Sequence, residues 1–214
     1  MSMFRLDSSI RTEGSVSRGV ADTLEGAYLE QHPNATVERR DLVADPLPDV
    51  WPVAAFAGFT PEDQRSDEQR AALDLTRRLA DEVLGADVVV IATPLYNFGV
   101  PAHLKAWIDL LITDPRFGPG TSPLAGRPVT LVIARGGGYG AGTPREGWDH
   151  ATPYLVRILA DVWGADLTLV EAELTLAPVT PAMAELVPLA EASQAQAHER
   201  ASEVGKALAA RTAA

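Results

Sequence analysis

The sequence predicts an α/β fold: five parallel strands in one doubly wound sheet, order 2-1-3-4-5, with helices on both faces. Three observations predict it. Short apolar runs alternate along the chain with longer segments of helical periodicity, the pattern of β-α units joined by crossovers. The run at 88–91 is β-branched throughout, as a buried parallel strand requires. Loops rich in Ser, Gly and Pro follow several of these runs, at the sheet edge where open α/β sheets bind ligands.

The elements follow in order. Residues 3–6 read as the first strand; Arg5 fits a buried strand badly, so it is expected to snorkel to a strand end or to mark an unusually short strand. Val20, Leu24, Ala27 and Tyr28 recur at helical spacing and predict a helix over 17–31. A second strand is expected over 35–40, after which Pro46 and Pro48 open an irregular stretch. Ser66 is a natural N-cap for a helix reaching residue 84, with Leu73, Leu75, Leu79 and Val83 as its apolar positions. Strand three spans 87–92, and the helix over 101–112 has Pro101 near its first turn. A Pro/Gly-rich loop over 114–128 leads to strand four at 129–134. The loop over 136–147 follows, then a helix over 148–163, strand five at 166–173 and a final Ala-rich helix over about 183–208. No repeat or composition break divides the chain, so residues 1–214 are expected to form a single domain, flavodoxin-like in its strand order.

Composition excludes several function classes. With no cysteine there is no disulfide, thiolate catalysis or Cys-ligated metal. A net charge of −11 argues against nucleic acid or an anionic membrane as partner, since phosphate backbones need clustered Lys and Arg. No apolar run reaches the roughly 20 residues of a membrane span and no apolar signal core stands at the N-terminus, so a cytoplasmic location is expected. His32, His103 and His150 lie far apart, and no metal site is expected.

Three loops carry candidate chemistry. Residues 7–17 place four serines and a threonine around Gly14, just before a helix. That supplies hydroxyls and free N–H groups at the positive end of a helix dipole, fit to hold a phosphate or simply to cap the helix. Neither G-x-x-x-x-G-K-[ST] nor G-x-G-x-x-G is present. Pro94-Leu95-Tyr96-Asn97-Phe98 joins flat apolar surface to amide polarity, suited to a planar heteroaromatic ring or to ordinary packing at a strand end. Ala134-Arg135-Gly136-Gly137-Gly138-Tyr139 brings consecutive glycines, through which a backbone approaches a ligand closely; a flexible loop would look the same. In the 2-1-3-4-5 order these loops follow neighbouring strands and converge on one crevice. Trp51, Phe56 and Phe59 lie in the long Pro-rich connection, placed to cover a site, to meet a partner subunit or to pack locally.

Ser8-Ser9-Ile10, Ser15-Val16-Ser17, Asp41-Leu42, Pro94-Leu95-Tyr96-Asn97-Phe98 and Arg135-Gly136-Gly137, in this order, resemble the FMN-dependent NADH-azoreductase and NAD(P)H quinone-reductase family. Thr152-Pro153-Tyr154-Leu155 and Gly164 are similar to its next helix and that helix's end, and the resemblance covers about residues 3–186. It implies a flavodoxin-like homodimer with one FMN per subunit near the dimer interface. By position, Ser9, Ser15, Val16 and Ser17 would hold the FMN phosphate and ribityl chain. Pro94, Leu95, Tyr96, Asn97 and Phe98 would meet the isoalloxazine, with Asn97 orienting it, and Ala134, Arg135, Gly136 and Gly137 would line its other edge. Trp51, Phe56, Phe117 and Tyr139 are the corresponding expectations for the substrate. The chain departs from the family at Ala134, where a serine is frequent, and over 114–122, where only Arg116-Phe117 matches the family's aromatic loop.

The expected activity is therefore an FMN-dependent oxidoreductase. NADH or NADPH gives hydride to the flavin, and a quinone, azo compound or similarly flat acceptor then takes two electrons in a ping-pong cycle. No side-chain acid or base is expected; backbone N–H groups near Asn97 and the Gly136 loop would stabilise the reduced flavin. The alternatives are a flavodoxin-type electron carrier with a protein partner, and a flavin reductase with a dedicated natural-product substrate. The apolar face of the 101–112 helix, with Leu104, Trp107 and Leu111, would serve either the core or a subunit interface.

Overall fold

In the computed structural model, which describes residues 1–212, β1 (Ser2–Asp7), β2 (Thr36–Asp41), β3 (Val88–Pro94), β4 (Pro128–Ala134) and β5 (Asp166–Ala172) form one parallel sheet. Its order is β2-β1-β3-β4-β5, as expected. Asp7 lies opposite Ala92 and Pro94 opposite Ala134, so the three central strands end at one edge. That shared edge places the site.

Alternation along each strand divides the core into two layers. Phe4, Leu6, Val89, Ile91 and Leu131 face one side and pack under α3 (Asp67–Leu84), α4 (Ala102–Thr113) and α5 (Thr152–Val156), which continues as a π-helical segment through Arg157–Val162. Met3, Val88, Val90, Ala92 and Val132 face the other side, under α1 (Val16–Gln31) and α6 (Val187–Thr212). These two helices touch so closely that a β-carbon on Gly205 would collide with the carbonyl oxygen of Leu24. Ser66 and Gln69 form a reciprocal capping box at the start of α3, which explains why that helix was legible from its first residue.

Three expectations change and one open alternative is decided. The stretch after Pro46 is not irregular throughout: α2 (Trp51–Ala57) forms there, with Pro52 in its first turn, where a missing N–H costs nothing. The helix expected from residue 148 begins at Thr152, because Gly147 takes φ 77° and the Asp149 carboxylate accepts from the N–H groups of Ala151 and Thr152 instead. Arg5 neither snorkels nor shortens its strand. It is 4% exposed within a six-residue strand, and it binds Asp7 on its own strand and Asp22 and Glu25 on α1. Leu104, Trp107 and Leu111 are wholly core; Trp107 stacks near Phe4 and meets Trp163 edge to face.

Candidate functional site

The loops after β1, β3 and β4 meet in a crevice of about 340 Å³. Its walls include Ser9, Ser15, Val16, Ser17, Pro94, Leu95, Tyr96, Ala134 and Gly136, nine of the residues singled out from sequence. Asn97, Phe98, Arg135 and Gly137 border it through these neighbours without lining it.

The first loop is built by helix capping. Ser15 caps α1, its hydroxyl accepting from the N–H of Arg18 at 3.4 Å and lying 3.3 Å from that of Ser17. The N–H groups of Val16 and Ser17, in the first helical turn, meet no acceptor among the described residues. Arg18 fixes the approach to this turn: its guanidinium grips Asp41 with two hydrogen bonds, 2.6 and 3.0 Å, and donates to the Ser9 carbonyl at 2.8 Å. The hydrogen bonds from Arg18 and from the Val43 and Ala44 N–H groups outweigh burial and hold the Asp41 carboxyl at a pKa of about 2. Deeper in the same network, burial raises the Asp7 carboxyl despite its contact with Arg5.

The second loop is a tight turn. Tyr96 and Gly99 exchange both backbone hydrogen bonds, and Asn97 and Phe98 between them take φ 49° and 65°. Left-handed backbone is common for Asn but costs Phe roughly 1–2 kcal/mol. The conformation leaves the N–H groups of Asn97 and Phe98 without acceptors among the described residues. The turn is cross-braced: Tyr96 Oη accepts from the Ile10 N–H at 3.1 Å, Thr93 meets Ser8 at 2.8 Å, and the Leu95 N–H donates to the Ala134 carbonyl at 2.8 Å. His103 reaches the Ser8 carbonyl with Nε2 at 2.6 Å.

The third loop hangs on Arg135. This side chain does not point at the crevice. It is buried, with Nε 2.7 Å from Asp149, Nη2 2.6 Å from Glu171 and 2.8 Å from Thr152, and Nη1 3.4 Å from Glu173. Burial works to raise the Asp149 carboxyl, but the Thr152 hydrogen bonds and the Arg135 charge bring it below the usual range. Glu173 also accepts from the Tyr139 N–H at 3.1 Å, so the cluster ties the loop to β5 and to the start of α5. The carbonyls of Arg135, Gly136 and Gly137 are taken by the N–H groups of residues 174–176, whereas the N–H groups of Gly136 and Gly137 have no acceptor among the described residues. A β-carbon on Gly136 would lie 2.6 Å from Leu176 Cδ1, so any larger residue would have to push that half-exposed side chain aside.

A set of aromatic rings adjoins the crevice wall without lining it, Tyr139 packing against the cluster that contains Leu95. Phe98 meets Tyr139 edge to face at 6.5 Å and Trp148 at 5.5 Å.

Three substrate expectations are not met within this chain. Phe117 is 1% exposed and packs edge to face on Trp163 at 5.0 Å, a core residue rather than a site residue. Trp51 and Phe56 are exposed on α2, Trp51 beside a different cleft that includes Asp109 and Ile112, and neither lines the crevice. Residues 51–57 fold as a helix away from the crevice rather than as a loop over it. Sequence reasoning also missed one wall of the crevice: Thr175, Leu176, Pro178, Val179 and Gln194. The segment after β5 has neither glycines nor periodicity to mark it. Its role comes from pairing with the Gly136 loop and from the turn at Leu174, φ 61°. A cleft of about 370 Å³ near Asp114 is lined by Arg65, Arg77 and Arg116. These bind the Thr60 carbonyl, Asp74, and the Asp81–Asp114 pair respectively. No group of His, Asp and Glu among the described residues is arranged to hold a metal ion.

The family model for the flavodoxin-like fold matches residues 1–204. An FMN-dependent NADH:quinone oxidoreductase of Streptomyces avermitilis is 44% identical over 214 residues, covering 99% of each chain. Another, from Frankia casuarinae, is 42% identical over 198 residues, 91% of this chain and 94% of that one. The chain belongs to this flavodoxin-like family. The crystal structure of the azoreductase AzrA superposes with a TM-score of 0.81 at 26% identity, covering 96% of this chain and 99% of the other.

Proposed function

We propose that the protein is an FMN-dependent NAD(P)H oxidoreductase that passes two electrons to quinones, azo compounds or similarly flat acceptors by a ping-pong cycle. One observation carries the reading: three loops present free backbone N–H groups around a single crevice with aromatic rings beside its wall. FMN, when bound, supplies the redox chemistry, taking hydride from the nicotinamide and returning two electrons to the acceptor. The names of the relatives, FMN-dependent NADH:quinone oxidoreductase and azoreductase, support cofactor and acceptor alike.

The residues present fit such a group. Ser9, Ser15 and Ser17 offer hydroxyls, and Val16 and Ser17 offer helix N-terminal N–H groups, which together suit a phosphate. Pro94, Leu95, Tyr96 and Ala134 supply flat and apolar surface for the ring. The N–H groups of Asn97, Phe98, Gly136 and Gly137 are donors for the ring's polar edge, where fixed dipoles stabilise negative charge without reorganising. Asn97 would orient the ring, Arg135 holds the Gly136 loop through the Asp149–Glu171–Glu173 cluster, and Tyr139 would belong to the acceptor side. No side-chain acid or base is required of this chain.

The protein works as a homodimer of single-domain subunits in the cytoplasm, on small molecules rather than on nucleic acid or membranes. Trp51 and Phe59, exposed beside Ile112, form an apolar patch that supports the pairing. The charge of −11 supports the absence of polyanionic partners. Among the described residues no helix is long and apolar enough to cross a membrane.

Anaerobic mixing of the FMN-loaded protein with NADH or NADPH tests the proposal. The expected result is bleaching of the flavin, restored by a quinone, with parallel lines in steady-state plots. A folded protein that binds no FMN overturns it. Reduction only through a protein partner makes the chain an electron carrier instead. Bleaching without turnover of quinones or azo dyes narrows the acceptor to a dedicated substrate.

A further inference from the structure

Beside the crevice stands an arginine without a counter-ion. Arg145, in the loop between β4 and α5, holds its guanidinium 6.0 Å from the centroid of the Tyr139 ring. Its Nη1 sits so close over Gly137 that a β-carbon there would lie 2.6 Å away. Among the described residues it pairs with no carboxylate, although the chain carries a net charge of −11. The nearby acids are engaged elsewhere. Glu146 accepts from the Gly142 N–H at 2.7 Å, Asp149 is held by Arg135 and Thr152, and Glu173 by Arg135 and the Tyr139 N–H. The result is an exposed positive charge, in an acidic protein, on the glycine next to the crevice wall.

The same place carries the Phe98–Tyr139–Trp148 wall. Phe98 holds a backbone conformation that disfavours its side chain, and its carbonyl is tied down by the His150 N–H at 2.9 Å. Strain kept at a half-exposed aromatic beside a cleft marks the ring's position as one the fold maintains. A ring surface next to an uncompensated guanidinium recognises one chemistry: a flat ligand with a negative group on it.

We infer that Arg145, with this aromatic wall, forms a subsite for an anionic group carried by a planar aromatic ligand; the inference rests on the FMN site proposed above. Two ligands have that chemistry. One is an acceptor bearing a sulfonate or carboxylate, and the other is the nicotinamide dinucleotide, whose pyrophosphate lies along from its ring. The guanidinium presents a planar fork of donors to an oxyanion, while the wall takes the ring. A neutral ring gains only the wall, so Arg145 discriminates by charge.

The ping-pong cycle separates the two sources. With the FMN-loaded protein and its Arg145→Gln and Arg145→Lys variants, flavin reduction by NADH reports the dinucleotide. The kcat/KM values for 1,4-naphthoquinone and for 1,4-naphthoquinone-2-sulfonate report the acceptor. Arg145→Gln is expected to lower kcat/KM for the sulfonated quinone about tenfold, leave the neutral quinone within about twofold, and abolish the salt dependence of the anionic reaction. Arg145→Lys should recover much of the loss. An equivalent loss confined to the NADH step would assign the anion to the pyrophosphate. Equal losses for the neutral and charged quinones, or no change in either half-reaction, overturn the subsite. Should the protein carry no flavin, the functional reading fails separately. Equilibrium titration of the protein with the two quinones then decides the subsite: tighter binding of the sulfonate that Arg145→Gln removes supports it, and equal binding overturns it.

Discussion

Replacing Arg135 by Met should cost far more stability than neutralising its most exposed partner, Glu171. The guanidinium side chain is 7% exposed, Asp149 is 14% exposed, Glu173 29% and Glu171 45%. Breaking a buried pair by deleting one member typically costs about 3–5 kcal/mol, because the other charge is left buried and uncompensated. Asp149 would keep hydrogen bonds from Thr152 and the Ala151 N–H, which places the loss near the lower end, about 3 kcal/mol. Glu171→Gln removes a charge that is nearly half in water, so its cost should stay below about 1 kcal/mol. For a chain of this size each kcal/mol moves the melting temperature by roughly 2–4 °C, so Arg135→Met should melt about 6–12 °C lower and Glu171→Gln within about 4 °C of the parent. Adding Glu171→Gln to Arg135→Met should recover part of the loss, since the carboxylates repel one another once the cation is gone. Calorimetry or circular dichroism melts at one fixed protein concentration measure all three. If Arg135→Met melts within about 2 °C of the parent, or no lower than Glu171→Gln, the cluster does not hold the loop as argued.

Ser15→Ala with Ser17→Ala should weaken FMN binding at least about tenfold, because hydrogen bonds to a charged group are worth roughly 1.5–3 kcal/mol each, and should leave riboflavin, which lacks the phosphate, nearly unchanged. Equal losses for both flavins in an equilibrium titration would assign these serines to helix capping instead. Asp41 makes stability pH-dependent in a defined window. Its folded pKa of about 2 lies below the unfolded value near 3.9, so its contribution is present above about pH 4 and disappears as pH falls towards 2. Urea unfolding should show the parent about 2 kcal/mol more stable than Asp41→Asn at pH 5, with the gap closing by about pH 2. A gap independent of pH would mean that the Arg18 contact is not ionic in effect.

The architecture was legible because it is written in local pattern. The β-branched run at 88–91 needs burial on both faces, and the Ser66–Gln69 spacing needs no tertiary partner to cap a helix. The serines before α1 and the glycines after β4 were visible for the same reason. Free N–H groups arise from backbone conformation, which Ser, Gly and a tight turn dictate within a few residues. So the sequence by itself determined the sheet order, the edge at which the crevice lies and most of its wall. Tertiary structure decided where long side chains go. Arg5 tolerates a central strand only because α1 brings Asp22 and Glu25 over it, and Arg135 turns from the crevice because Glu171, Glu173 and Asp149 converge from β5 and the approach to α5. Phe117 was drawn to the site by its neighbours in sequence and to the core by Trp163. The far wall, Thr175 to Val179, joins the site only through backbone pairing with Gly136 and its neighbour Arg135. Charge and ring packing act between segments distant in sequence, so their outcome depends on which partners the fold delivers, and no local pattern encodes that.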